Sequence, residues 1–61
     1  MKLDFVLERE TKGALRYQQV DNNGKPVTTN NGAEVGTLYV RKTAFNGSGF
    51  PKNLKVTLEA K

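Results

Sequence analysis

The sequence predicts a small all-β domain of four or five antiparallel strands, and three observations support this fold class. Two segments, KLDFVLE near the start and LKVTLEA near the end, alternate apolar and polar residues with the period of 2 typical of half-buried strands. Asn-Gly and other glycine-containing turn signals separate the apolar segments. No segment has the apolar spacing of a helix long enough to cover a sheet.

Four segments are predicted as strands, at residues 2–8, 13–20, 36–42 and 54–60. Residues 21–34 contain two Asn-Asn-Gly triplets and form either a mobile loop or a short fifth extension at Val27–Thr29. Pro26 would confine that extension to a sheet edge. The simplest arrangement of the strands is an antiparallel meander, in which each strand pairs with the next.

The apolar face of such a sheet must be covered. Without a helix, the cover is either strong curling into a small barrel or a second copy of the chain, so that homodimerisation completes the sheet. Phe45 and Phe50 are predicted to plug the open end, and a single helical turn fits Thr43–Phe45. Besides these two phenylalanines, the predicted core consists of Leu3, Phe5, Leu7, Leu15, Tyr17, Leu38, Val40, Leu54, Val56 and Leu58.

Residues 1–61 are predicted to form a single small β domain. A domain of about 60 residues buries only about 60% of its unfolded surface and usually needs a supplement to its core. The sequence has no cysteine and no histidine, which excludes a disulfide and removes the preferred ligands of zinc-like metals. Oligomerisation is the remaining supplement, and a homodimer is therefore the alternative to a monomer.

The absence of cysteine fits a reducing compartment. Asp4 and Glu8 interrupt the apolar core that a signal peptide would need, and no run approaches the roughly 18 apolar residues of a membrane span. We therefore expect a cytoplasmic protein with no membrane partner.

The commonest catalytic residues, histidine and cysteine, are missing, and no enzyme, cofactor or metal is expected. Without histidine or cysteine, the usual activated nucleophiles cannot form, and Ser48 stands between two glycines with no identifiable base. Asp4 and Glu8 share a strand face but lie roughly 13 Å apart, too far for a paired-carboxylate site. The run 21–24, DNNG, resembles part of a calcium loop, but Lys25 occupies a ligand position and a turn is predicted.

All of the net positive charge falls in the last 26 residues. Residues 1–35 carry five cations and five anions, whereas residues 36–61 carry five cations and only Glu59, which gives the chain its net charge of +4. This asymmetry indicates either an anionic partner or a charge that only keeps a small domain soluble.

The segment GTLYVRK, residues 36–42, supplies a candidate site for single-stranded DNA or RNA. Such ligands stack bases on aromatic rings inside positively charged grooves. If the third and fourth strands pair, Lys55 joins Tyr39 and Arg41 on one face. The predicted binding residues are Tyr39, Arg41, Lys42, Lys52, Lys55 and Arg16. The alternative is a homodimeric protein-interaction or structural module with no nucleic-acid role, in which Tyr39 packs at an interface and the cations blunt sheet edges.

Three blocks resemble a group of small bacterial proteins: ETKGALRYQ at 10–18, GTLYVRKTA at 36–44 and PKNLKVTLE at 51–59. Members of the group read approximately E-T-K-x-x-x-R-Y, G-T-L-Y-[VI]-x-K and P-x-x-[LI]-x-V-T-[LI]-E. The blocks cover somewhat under half of the chain. The sequence departs from the group at Gln19, near which an acid is expected, and in its Asn-rich loop. The resemblance implies a bacterial or mobile-element origin and attaches no activity or ligand.

Overall fold

In the computed structural model, which describes residues 1–45 and 49–61, four antiparallel strands form one curled sheet that resembles half a barrel. The described residues form no α-helix, and the predicted all-β class is confirmed. Ser48 lies outside the described residues. The strands are β1 (Lys2–Glu10), β2 (Ala14–Val20), β3 (Thr37–Arg41) and β4 (Asn53–Thr57), and two 3-10 turns span Thr29–Asn31 and Lys42–Phe45.

The strand order is β3-β2-β1-β4, so the predicted meander is wrong. The fourth strand returns beside the first, which is the Greek key arrangement. Three strand spacings of about 4.8 Å separate β3 from β4, a distance that the crossover loop, residues 42–52, spans easily. In the observed order, β4 lies beside β1, with Lys55 opposite Asp4 and Leu54 opposite Phe5. In the predicted meander, β4 would lie beside β3, and Lys55 would share a face with another cation, Arg41.

The core lies on the concave face of the sheet. Its fully buried side chains are Phe5, Leu15 and Tyr17, joined by Leu3. These strand positions confirm the predicted alternation. Leu58 is the exception among the predicted core residues, because 47% of its surface is exposed. It follows the end of β4, where its backbone pairs with that of Met1 alone.

The described residues of the crossover loop, 42–45 and 49–52, cover one end of the core. Phe45 and Phe50 pack against the core cluster, with their rings edge to face and their centroids 6.2 Å apart. The Tyr17 hydroxyl donates a hydrogen bond of 2.8 Å to the carbonyl of Pro51, which fixes the loop to the centre of β2. The predicted plug is confirmed, and the predicted helical turn is the 3-10 turn at Lys42–Phe45.

A buried glutamine anchors the other long loop, residues 21–36. Gln19 is 5% exposed, and its Oε1 accepts hydrogen bonds of 3.0 Å from the backbone N–H groups of Val35 and Gly36. Its Nε2 donates a bond of 2.8 Å to Glu34 Oε1, and this bond lowers the pKa of the Glu34 carboxyl. The predicted extension at 27–29 is not a strand in the described structure, since the segment makes only an isolated bridge at Pro26.

The first Asn-Asn-Gly triplet forms the predicted turn. Asp21 Oδ1 accepts hydrogen bonds from the backbone N–H groups of Lys25, at 3.0 Å, and Asn23, at 2.8 Å. These two bonds, with that to Lys25 the larger cause, lower the pKa of the Asp21 carboxyl. Gly24 adopts a φ of 80°, a conformation that glycine adopts without strain.

Acid is therefore expected to destabilise this turn through Asp21. Because the pKa is lower in the folded state, the stabilisation is complete above the ordinary carboxyl pKa of about 4 and is lost as the pH falls through the folded value. Asp21→Asn keeps an acceptor oxygen but cannot titrate, so its unfolding free energy should fall less steeply below about pH 4. Denaturant unfolding of the unmodified chain and of Asp21→Asn at a series of pH values measures the slope of the unfolding free energy against pH for each. Equal slopes would contradict the assignment.

Candidate nucleic-acid interface

Tyr39 lies on the convex face of β3, the edge strand next to β2. Its neighbours Leu38 and Val40 turn toward the core, and the alternation of the strand directs Tyr39 away from it. The side chain is 62% exposed. A ring with its surface open to solvent at a sheet edge is available for stacking, which a core tyrosine such as Tyr17 is not.

Arg16 of β2 lies directly across from Tyr39 in the ladder. The Gln19 N–H donates to Gly36 O, and hydrogen-bonded and non-hydrogen-bonded pairs alternate along the ladder. The Arg16–Tyr39 pair, three positions away, is therefore a non-hydrogen-bonded pair, in which the two side chains lie closer together than in a hydrogen-bonded pair. The Arg16 guanidinium carbon lies 6.0 Å from the Tyr39 ring centroid, at cation–π distance. Its Nε is 3.7 Å from Glu8 Oε2 and is shielded from solvent, so Glu8 forms an ion pair with the guanidinium beside the ring without a hydrogen bond at Nε.

Arg41 follows Tyr39 on the same face of β3, opposite Ala14. A shallow depression of about 360 Å³ lies beside Tyr39 and Arg41 and is also lined by Thr11, Gly13 and Ala14. The small residues Gly13 and Ala14 leave its floor low. Arg41 is exposed, and among the described residues no carboxylate lies within ion-pair distance of it. An unpaired cation thus borders an open recess beside an exposed ring.

A β-bulge in β1 adds another cation to this face. The register shifts between Leu7 and Arg9, so that Glu8 is the inserted residue and Arg9 lies opposite Arg16. Residues opposite each other in a ladder share a face, and Arg9 therefore extends the row that begins at Tyr39. Arg9 is exposed and forms no ion pair with any residue that the structure describes. Alternation alone could not place it here, because the bulge interrupts the period of 2.

The Tyr39 platform comprises Tyr39, Arg41, Arg16 and Arg9 above the floor formed by Gly13 and Ala14. Three guanidinium groups face one carboxylate, that of Glu8, so the platform is net positive. Planar guanidinium groups suit phosphate oxygens because they donate two parallel hydrogen bonds. The arrangement can therefore hold an aromatic base and a neighbouring phosphate together.

The structure does not bring the other predicted binding residues to this platform. Lys42 and Lys52 follow the core-facing alternation of Val40 and Leu54, which places them at the rim of the concave face. Lys42 Nζ lies 2.7 Å from Glu10 Oε2 and 5.6 Å from the Phe50 ring centroid. Its charge is thus paired within the chain.

Lys55 lies at the opposite edge of the sheet from Tyr39. The prediction that the third and fourth strands pair is wrong, and Lys55 instead lies 3.9 Å from Asp4 of β1. Acids of β1 pair with three of the predicted binding cations, namely Arg16, Lys42 and Lys55. The positive charge that is concentrated in residues 36–61 of the sequence is therefore partly balanced by the N-terminal strand after folding.

Two further properties of the described residues bear on the site. No group of three or more acidic, histidine or cysteine side chains is placed to hold a metal ion in the part of the chain that the structure describes. Over the same residues, no helix has the length and apolar character needed to cross a membrane.

No protein-family model matches the chain, and no curated protein or solved structure matches it. Membership of the group of small bacterial proteins with the three sequence blocks therefore stays a prediction.

Proposed function

We propose that the chain is a small non-enzymatic binding module of the cytoplasm, and that its Tyr39 platform binds single-stranded nucleic acid. The observation that carries this proposal is the placement of an exposed aromatic ring between two arginines, Arg16 and Arg41, on the open face of an edge strand. A core tyrosine or a tyrosine packed across its neighbours would not leave its ring accessible in this way.

Stacking on Tyr39 supplies the part of the affinity that depends on the base. Base–aromatic stacking contributes about 1–3 kcal/mol per base and tolerates every base, because each has a flat π-face. The depression beside Tyr39 and Arg41 gives a stacked base room above Gly13 and Ala14. Binding through stacking on one ring is expected to have little sequence preference.

The arginines supply the part of the affinity that depends on salt. Each phosphate that they neutralise releases counterions, and for single strands the logarithm of the binding constant falls with the logarithm of salt by about 0.7 per contact. With up to three contacts, from Arg9, Arg16 and Arg41, we expect a slope of about −2.

Titrating a fluorescent oligonucleotide at several salt concentrations tests the proposal. Arg41→Ala should reduce the salt slope by about 0.7, because one phosphate contact is lost. Tyr39→Ala should weaken binding by about fivefold to a hundredfold at every salt concentration and leave the slope unchanged, because stacking involves no counterion.

Lys55→Ala is the matched control for both substitutions. It removes one cation from the same face of the sheet at the opposite edge, so it should change affinity far less than Arg41→Ala. Equal losses for the two variants would indicate that only net charge matters. No binding at low salt would eliminate the proposal.

A homodimeric structural module is the second candidate function. The observation that favours it is the exposure of Met1 and Leu58 on the core side of the sheet, beside the free edge of β4. Because β3 and its Tyr39 platform lie at the other edge, self-association through β4 and binding at the platform are compatible.

A further inference from the structure

The apolar end of the sheet next to β4 is incompletely covered. Leu58 is 47% exposed and Met1 is 63% exposed. The two are cross-strand neighbours, since the Leu58 N–H donates to Met1 O at 2.7 Å and the Met1 ammonium donates to Leu58 O at 3.1 Å. Both continue the core-facing alternation of β1 and β4, so they extend the core beyond the cover that the described loops supply.

The backbone of β4 has one edge available for pairing. Leu58 and Met1 form a hydrogen-bonded pair, so the backbone of every second residue of β4 counted from Leu58 bonds to β1. The N–H and C=O groups of the residues between them, Thr57 and Lys55, therefore point away from β1. That side is the end of the sheet in the described structure. An edge strand with unpaired backbone groups is a template for another strand.

We propose that a second copy of the chain pairs its β4 with this β4, antiparallel and about a twofold axis at Thr57. In this register Thr57 lies opposite the partner's Thr57, Lys55 opposite the partner's Glu59, and Val56 opposite the partner's Leu58. The exposed apolar end of each copy is then covered by the other, and two four-stranded sheets become one continuous sheet.

Charge selects this register over its neighbours. A twofold axis at Lys55 would place the two lysines directly opposite each other, which is unfavourable. An axis at Val56 would pair Glu59 with the partner's Asn53 and would form no ion pair. The axis at Thr57 forms two Lys55–Glu59 pairs, and because Asp4 already lies 3.9 Å from Lys55, each row alternates acid, base and acid.

The same register also gives cross-strand neighbours to Glu59 and Ala60, which pair with no residue of β1 in the described structure. The alternation of LKVTLEA continues through Glu59 and Ala60, yet the ladder with β1 ends at the Met1–Leu58 pair. In the dimer these residues acquire cross-strand neighbours, with Ala60 opposite the partner's Leu54.

Cysteine crosslinking tests the axis directly, since the sequence has no cysteine of its own. Residues opposite each other in a hydrogen-bonded pair have Cα atoms about 5.5 Å apart, within the range that a disulfide spans. Thr57→Cys should therefore form a disulfide-linked dimer under mild oxidation. Asn53→Cys, on the same strand and face, is the matched control, because the two copies of residue 53 would lie roughly 27 Å apart.

Light scattering after size exclusion supplies the second measurement. The unmodified chain should have twice its 6.8 kDa mass. Glu59→Lys and Lys55→Glu should each weaken dimerisation about tenfold. Mixing the two variants should restore it as a heterodimer, because both pairs between the chains again join opposite charges.

Faster crosslinking of Thr57→Cys than of Asn53→Cys, together with recovery on mixing, establishes the proposed interface. A single-chain mass at millimolar concentration overturns the proposal. Equal crosslinking of the two cysteine variants, or no recovery on mixing, overturns it as well.

Discussion

Phe5→Ala is expected to remove a large part of the stability of the domain. Phe5 lies in the central strand β1, between Gln19 of β2 and Leu54 of β4, and is 1% exposed. Truncating a buried phenylalanine costs about 3–5 kcal/mol, because both the transferred surface and the residual cavity contribute. A chain of this length has a total stability of about 3–9 kcal/mol. The loss is therefore a large fraction of the total stability.

Circular dichroism during thermal and urea unfolding measures this effect. Phe5→Leu should retain a cooperative transition, because it preserves most of the buried volume. Tyr39→Ala is the matched aromatic control and should shift stability by no more than about 0.5 kcal/mol, as is usual for an exposed position. A Phe5→Ala variant as stable as Tyr39→Ala would show that the concave face is not the core.

Gln19→Leu is expected to destabilise the domain by about 2–4 kcal/mol. The substitution keeps an apolar side chain of similar size but removes the acceptor of the Val35 and Gly36 N–H groups and the donor to Glu34. A buried N–H left without a partner carries its full desolvation cost, about 1–3 kcal/mol. Amide hydrogen exchange should quicken most at Val35 and Gly36.

The adjacent glutamine provides the control. Gln18 lies on the opposite face, and its Nε2 donates to Val27 O at 2.9 Å and to Gln19 O at 3.2 Å. These acceptors can bond to water once the side chain is shortened or replaced, so Gln18→Leu should cost no more than about 1 kcal/mol. Similar losses for both glutamine variants would contradict the role of Gln19 as the anchor of the loop.

Local pattern predicted most of the strands and the core. Alternation placed Phe5, Leu15 and Tyr17 on one face, and the structure buries all three. Asn-Gly chemistry predicted the turn after β2 because only local backbone preferences decide it. The role of Gln19 could not be predicted from local pattern, because its three hydrogen-bond partners lie 15 to 17 residues away in the sequence.

Strand order and the bulge could not be predicted in the same way. Period-2 alternation says which face a residue occupies but not which strand lies beside it, and the crossover loop is long enough for either order. The return of β4 to β1 separated Lys55 from Tyr39. The bulge at Glu8 moved Arg9 opposite Arg16, a change of one residue that no turn signal announces.

The sequence therefore predicted correctly that three of the candidate residues share a face, and it misplaced the other three. Tyr39 and Arg41 follow from one strand, and Arg16 follows from the adjacent hairpin partner, so all three share a face. The prediction placed Lys55 on this face through the pairing of the third and fourth strands, and it placed Lys42 and Lys52 beside the loop that joins them. The sheet instead places Lys55 at the far edge and Lys42 and Lys52 at the rim of the concave face.

A ¹⁵N-labelled chain titrated with a short single-stranded oligonucleotide at low salt tests the central claim most directly. The amide resonances of Gly13, Ala14, Tyr39 and Arg41 should shift together with one saturation curve, while those of Lys55 and Thr57 stay in place. Shifts centred on β4 or on the crossover loop, or no shift at saturating oligonucleotide, would contradict the assignment of the Tyr39 platform as the binding surface.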